Sequence, residues 1–309
     1  MPESYKASAP GSLMLMGEHA VLYGSKALAC AVDSRIEITL TPKKENQISI
    51  ISKFGEYKTD LSQINFEQPY AFVLASIKEY QQKLNTGFEL NIKSEFSHKV
   101  GLGSSAAITA STVGVLNQWL QTKYDQQKLH SLGLKAIHSV QCAGSGTDLA
   151  ASIFGGVVEY CGQQKNTIKH ESLFPITLVY SGKKLPTKQV IQLVKQKFES
   201  RKSELEEIIQ QIKFCTEEGI HHYKNNHLAA LADAFQAQQK WMNELGVNDH
   251  DLQNIIDTLD DQKEILGSKI SGSGLGDCVV GIGKINQNPF DDRLIPVQMS
   301  AKGLEVSTI

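Results

Sequence analysis

The sequence has few cysteines, and they are scattered. Its 309 residues hold five, at positions 30, 142, 161, 215 and 278, and no two stand at metal-ligand spacing. That excludes a zinc module and a disulfide-stapled secreted domain, and makes the reducing cytoplasm the expected location. Cys142, beside a glycine-rich segment, reads as a small buried hydrophobe rather than a reactive thiol. No run of Lys or Arg occurs and the formal net charge is -2, so nucleic acid is not an expected partner. Long apolar runs are also missing. Leu13 to Met16 is too short for a signal-peptide core, and no basic segment precedes it, so no secretory leader is expected. Residues 100–122 carry no charge but include several serines, threonines, Asn117 and Gln118; they read as a loop and a buried helix, not a membrane span. Neither short repeats nor low-complexity linkers are present, which excludes a solenoid.

Hydrophobic residues make up 41% of the chain and charged residues 21%, a globular balance, with length enough for two domains. In the first half, residues 35–41 (RIEITLT), 47–52 (QISIIS) and 88–94 (FELNIKS) alternate as strands do. The segment from Tyr70 has helical spacing, with Phe72, Ile77, Tyr80 and Leu84 on one face. A helix with a stripe of Ile108, Val115, Leu116 and Trp119 follows. Residues 155–161 and 176–182 read as strands around a polar break. The second half is rich in helix. Residues 187–214 have one amphipathic pattern, residues 226–245 another, and CVVGIG and LIPVQMS close the chain as strands. A domain boundary is expected near residue 165, giving domains 1–165 and 166–309.

Three glycine-serine segments carry the chemistry. In KVGLGSSAA (residues 99–107), Gly101 and Gly103 allow a tight turn and a close approach to a ligand. Ser104 and Ser105 are expected to cap the helix that follows, whose first N–H groups and dipole suit an anion. Either hydroxyl can ligate Mg²⁺. The loop lacks the Gly-Lys-Ser/Thr ending of a Walker A motif. The second segment, QCAGSGTDLAASIFGG, surrounds a single carboxylate, Asp148. The third, GSKISGSGLGDCVVGIG, places Gly267, Gly272, Gly274 and Gly276 before Asp277. Together they imply that distant backbone converges on one anionic ligand. Near the start, SAPGSLMLMGEHAVLYG sets Glu18 and His19 between two apolar runs.

The order APGxxxxxGEHAVLYG, GLGSSAA, GSGTD and KISGSGLGD resembles the GHMP kinases, and GEHAVLYG, with VYSGKKLPT and WMNELGV, is most similar to the mevalonate kinases among them. The resemblance spans nearly the whole chain. It implies an α+β, two-domain fold: an N-terminal domain like ribosomal protein S5 domain 2 and a ferredoxin-like C-terminal domain. It also implies ATP and Mg²⁺ as cofactors and a small-molecule alcohol as substrate. No membrane or nucleic-acid partner is expected, and a homodimer is admissible. Carried over by position, Gly101, Leu102, Gly103, Ser104, Ser105 and Ala106 bind the triphosphate, with Ser105 on the metal. Gly272, Ser273 and Gly274 close over the phosphates, Asp148 is the catalytic carboxylate, and Glu18, His19 and Ser12 face the acceptor.

Three positions depart from the mevalonate kinase pattern. Ser12 stands where the family has a lysine, and Ile137 where it has a metal-binding glutamate. In the third loop, Leu275 adds bulk and Asp277 adds negative charge; Asp277 is expected to point away from the phosphates or to bind a cation. The implied activity is phosphorylation of mevalonate to 5-phosphomevalonate in isoprenoid biosynthesis. The alternatives are a phosphomevalonate kinase, for which Lys26 and Arg35 are candidate phosphate ligands, a mevalonate 3-kinase, a decarboxylase relative, or a catalytically weak binding homologue.

Overall fold

The computed structural model describes residues 3–96, 101–141, 144–164 and 166–309; Lys99, Val100 and Cys142 lie outside the described residues. Two sheets organise the chain. The first takes strands β1 (Tyr5–Met16), β2 (Lys26–Pro42), β3 (Gln47–Ser52), β4 (Gly55–Asp60), β5 (Phe88–Ser94), β6 (Val157–Cys161), β7 (Asn166–His170) and β12 (Glu305–Thr308). Its order is β12-β1-β2-β5-β3-β4, and β6 joins the first half of β2 and carries β7 at its other edge. All pairs are antiparallel except β3 with β5. The second sheet is antiparallel, in the order β11 (Leu294–Ile295), β8 (Ile176–Tyr180), β10 (Cys278–Ile282), β9 (Gly267–Ser271).

Helices α1 (Ala71–Lys78), α2 (Ser104–Trp119), α3 (Gln126–Gln141) and α4 (Thr147–Phe154) accompany the first sheet; α5 (Thr187–Lys197), α6 (Lys202–Lys224), α7 (Leu228–Leu245) and α8 (His250–Asp260) accompany the second. The run Leu13 to Met16 is fully apolar because β1 is buried on both faces. Ala7 and Ala9 belong to the core under α1–α4, whereas Leu13, Leu15 and Met16 pack with Leu178, Leu231, Phe235 and Val280 of the second half. That shared cluster fixes the two halves against each other.

Several expectations change here. The polar stretch after Cys161 contains β7, which pairs with β6. The chain's last strand returns to the first sheet, on β1. Residues 187–214 form not one helix but parts of two, because Phe198 turns into the core with Val190, Val194, Ile208 and Ile212, and the chain wraps around that cluster. Helix α2 is buried nearly all round rather than along one stripe, which its small residues permit; Ser111 Oγ donates to the Ile36 carbonyl at 2.8 Å and Thr112 Oγ1 to Ile108 at 2.7 Å. LIPVQMS keeps only Leu294–Ile295 as strand, with an isolated bridge from Met299 to Val32.

Candidate active site

The N-termini of α2, α4 and α5 meet at one half-open cleft. Its wall takes Ser104 and Ser105 from α2, Asp148 from α4, Thr187 from α5, Ser271 from the end of β9, and Gly272, Ser273 and Asp277 from the segment between β9 and β10. Ser104 and Ser105 do not cap α2. They are its first two residues, and the cap position is Gly103, in the left-handed region at φ +61°. With no side chain at the cap, the first turn of α2 is left to an outside anion. The glycines are there for proximity: a Cβ on Gly103 would lie 2.0 Å from Ser12 Oγ, and one on Gly101 would lie 1.8 Å from Asp277 Oδ1.

Ser12 sits on β1 beneath this loop, at 0% exposure, and its N–H donates to the Leu102 carbonyl at 3.1 Å. Its hydroxyl donates to Asp148 Oδ1 at 2.9 Å. The β1–β2 register shifts between Pro10 and Ser12, which turns this part of β1 toward the loop. Ser12 is therefore not a wall residue of the cleft; it stands behind Asp148 and orients it. Burial raises the Asp148 carboxyl above the usual carboxylate range. The Ser12 hydrogen bond and the Lys184 charge oppose that rise, and Glu18 adds to it. A carboxylate so placed can accept a proton from a hydroxyl brought into the cleft.

His19 has a left-handed backbone, at φ +60°, and opens a 3-10 turn over Ala20–Tyr23. Its Nε2 donates to the Ser273 carbonyl at 2.9 Å. Burial lowers its pKa, with the Ser273 carbonyl and Glu18 working against it, so the ring is neutral at pH 7. With Nε2–H engaged, Nδ1 is left as an acceptor.

Two family models match the chain: the GHMP kinases N terminal domain over residues 71–156 and the GHMP kinases C terminal model over 218–292, together just over half of it. The chain belongs to the GHMP kinases. As a member it is an ATP-dependent small-molecule kinase. The mevalonate kinase of Pyrococcus furiosus is 28% identical over 303 residues, covering 89% of this chain and 88% of that one. Among solved structures, the Lin0012 protein from Listeria innocua superposes with a TM-score of 0.87 at 18% identity, covering 98% of this chain and 99% of that one. The Methanococcus jannaschii mevalonate kinase superposes at 0.74 and 23% identity, covering 90% of each.

The GHMP motif residues divide into two groups. Gly101, Gly103, Ser104, Ser105, Gly272, Ser273, Asp148, Glu18 and His19 border the cleft. Leu102 and Ala106 instead face the core, at 1% and 2% exposure, and a Cβ on Gly274 would meet the Val247 carbonyl at 2.4 Å rather than a ligand. Leu275 adds no bulk at the phosphates; it packs on the apolar cluster of α5–α8. Asp277 does not point away. It borders the cleft, with Oδ2 3.6 Å from Lys184 Nζ and a buried Oδ1 that has no hydrogen-bond partner among the described residues. Ile137 is buried in the first core, as an apolar residue at that position must be.

Glu18 is less free than the motif implies. Lys269, fully buried on β9, pairs with its Oε1 at 2.5 Å, and Gln238 Nε2 of α7 donates to its Oε2 at 2.6 Å. Gln238 Oε1 in turn accepts from the Gly17 N–H at 3.0 Å. Glu18 borders the cleft, but both its oxygens are already engaged by the other half of the chain. Lys184 and Thr187, in VYSGKKLPT, are among the wall residues that residue-type reasoning does not single out, with Met14, Ser145 and Ser271. The one signal for Lys184 and Thr187 is a lysine pair just ahead of a helix start.

Proposed function

We propose that the chain phosphorylates mevalonate at its primary hydroxyl, with ATP as donor and Mg²⁺ as cofactor. The observation that carries this reading is Asp148, half-buried on the cleft wall, oriented by Ser12, and sharing the cleft with the glycine-serine loop. A carboxylate there accepts the hydroxyl proton as the new P–O bond forms. The neutral His19, with Nδ1 free to accept, suits a second hydroxyl of the acceptor. The residues fit a divalent cation: an Asp277 oxygen that has no partner among the described residues and the hydroxyls of Ser104 and Ser105 border one cleft. Mg²⁺ would neutralise charge on the polyphosphate.

An acceptor without a phosphate of its own is favoured by the fate of two cations. Lys26 pairs with Glu159 at 2.7 Å. Arg35 is held by Ser8, the Gly303 carbonyl and Glu305. Neither borders the cleft. The curated relatives, at about 28% identity, carry the name mevalonate kinase, in keeping with this choice.

The test is ADP release by the purified protein with ATP, Mg²⁺ and either mevalonate or phosphomevalonate. Turnover on mevalonate alone is expected. Turnover on phosphomevalonate alone, or on neither, overturns the reading.

A further inference from the structure

Among the described residues that border the cleft, the carboxylates are Glu18, Asp148 and Asp277, and one Lys or Arg side chain faces them, that of Lys184. Glu18 is neutralised from behind by Lys269. Asp148 has a hydroxyl, not a cation, as its hydrogen-bond donor. A triphosphate entering this cleft therefore meets two carboxylates and adds more negative charge of its own. Phosphoryl transfer is catalysed almost wholly by positioning and charge stabilisation, so the supply of positive charge decides the rate.

We propose that Lys184 is a catalytic residue that places its ammonium on the transferred phosphoryl group. It reaches the cleft from the loop between β8 and α5. The loop is built to aim it. The Asp277 N–H donates to the Lys183 carbonyl at 2.8 Å, and Ser181 Oγ donates to the same carbonyl at 3.0 Å. The neighbouring Lys183 is directed away, its ammonium 2.7 Å from Asp251 and 3.2 Å from Asp249 at the start of α8. Two adjacent lysines thus have opposite assignments: Lys183 fastens the loop to α8, and Lys184 enters the cleft. The contact of Lys184 with Asp277, at 3.6 Å and with a third of the lysine side chain exposed, is loose enough to yield to a phosphate. An ammonium on a flexible stem suits that exchange.

This inference rests on phosphoryl transfer at the cleft and not on which alcohol accepts the phosphate. Its test needs no acceptor. ADP with Mg²⁺ is titrated into the protein with and without aluminium fluoride, which mimics the phosphoryl group in flight. In Lys184→Met the tightening produced by fluoroaluminate falls by about 10²–10³-fold, the usual loss for one such charge-stabilising donor, while ADP affinity alone changes little. Lys184→Arg restores part of the tightening, and Lys183→Gln, which removes a lysine charge outside the cleft, loses far less of it than Lys184→Met. Equal losses for ADP and for its fluoroaluminate complex, or an undiminished tightening in Lys184→Met, overturn the proposal. Should the wild-type protein tighten on fluoroaluminate yet leave mevalonate untouched, the acceptor assignment fails and the role of Lys184 stands.

Discussion

Asp148 joins two properties that most carboxylates keep apart: it is half-buried in a site that desolvates its charge, and its hydrogen-bond donor is a neutral hydroxyl. Its proton is therefore bound more tightly in the folded chain than in the unfolded one. The sign follows from linkage. A raised carboxyl opposes folding once the pH exceeds its unfolded value, and the cost grows as pH rises through the folded value. Asp148→Asn should accordingly raise the melting temperature at neutral pH while lowering kcat by about 10²–10⁴-fold, the worth of a general base. ATP affinity should be retained, which a nucleotide titration checks; loss of turnover without the gain in stability would detach the base from its burial. Ser12→Ala is the milder change. A hydrogen bond to a charged group is worth about 1.5–3 kcal/mol, so kcat should fall about ten- to a hundredfold. Because the Ser12 bond holds the Asp148 pKa down, the acid limb of the pH–rate profile should also move to higher pH in this variant. An unmoved limb would show that Ser12 does not act through Asp148.

At the scale of elements, the phosphate site depends on helix starts rather than on side chains. Gly103 is the clearest case. An alanine there would hold a left-handed backbone and crowd Ser12 Oγ, at a cost of about 1–3 kcal/mol from the backbone alone. Gly103→Ala should lower the urea midpoint and weaken ATP binding together; normal ATP affinity in the folded variant would mean that the α2 start does not hold the phosphates. The glycines and serines of this loop are legible in the sequence because only small residues allow such contact. Strands β3 and β5 are legible for a similar reason, since strict alternation has one structural meaning. The expected elements omit Gln126–Gln141 and His250–Asp260, although Leu129, Leu132, Ala136 and Ile137 in the one and Leu252, Ile255, Ile256 and Leu259 in the other stand at helical spacing; both helices are polar on their outer faces. Nor does the pattern separate Lys183 from Lys184. Identical neighbours in sequence acquire different partners only when α8 and the β9–β10 loop pack on either side. The inward turn of Leu102, Ala106 and Gly274 is hidden in the same way, because a motif names residues without saying which of them face the ligand.

At the scale of the molecule, the two sheets are joined by the apolar cluster between them and by one buried charge pair. Glu18, after β1, meets Lys269 on β9 and Gln238 on α7. Lys269 is wholly buried, and desolvation lowers its pKa against the pull of Glu18. Removing one partner leaves the other charge buried and alone, so Glu18→Gln and Lys269→Met should each destabilise by about 3–5 kcal/mol in urea unfolding. The double variant Glu18→Gln/Lys269→Met leaves no orphan charge, so its loss should be well below the sum of the two. Simple additivity would show that the pair is uncoupled. The cycle also separates a binding role for Glu18 from a structural one. If Glu18 chiefly contacts the acceptor, KM should stay raised in the double variant however stable it becomes. If it chiefly ties the N-terminal segment to the second half, KM should recover with stability, since His19 is carried on the same segment and bonded to Ser273 of the same loop. The satisfied oxygens of Glu18 favour recovery: an acid held by a lysine and an amide has little left to offer a substrate, and much to offer the geometry that receives one.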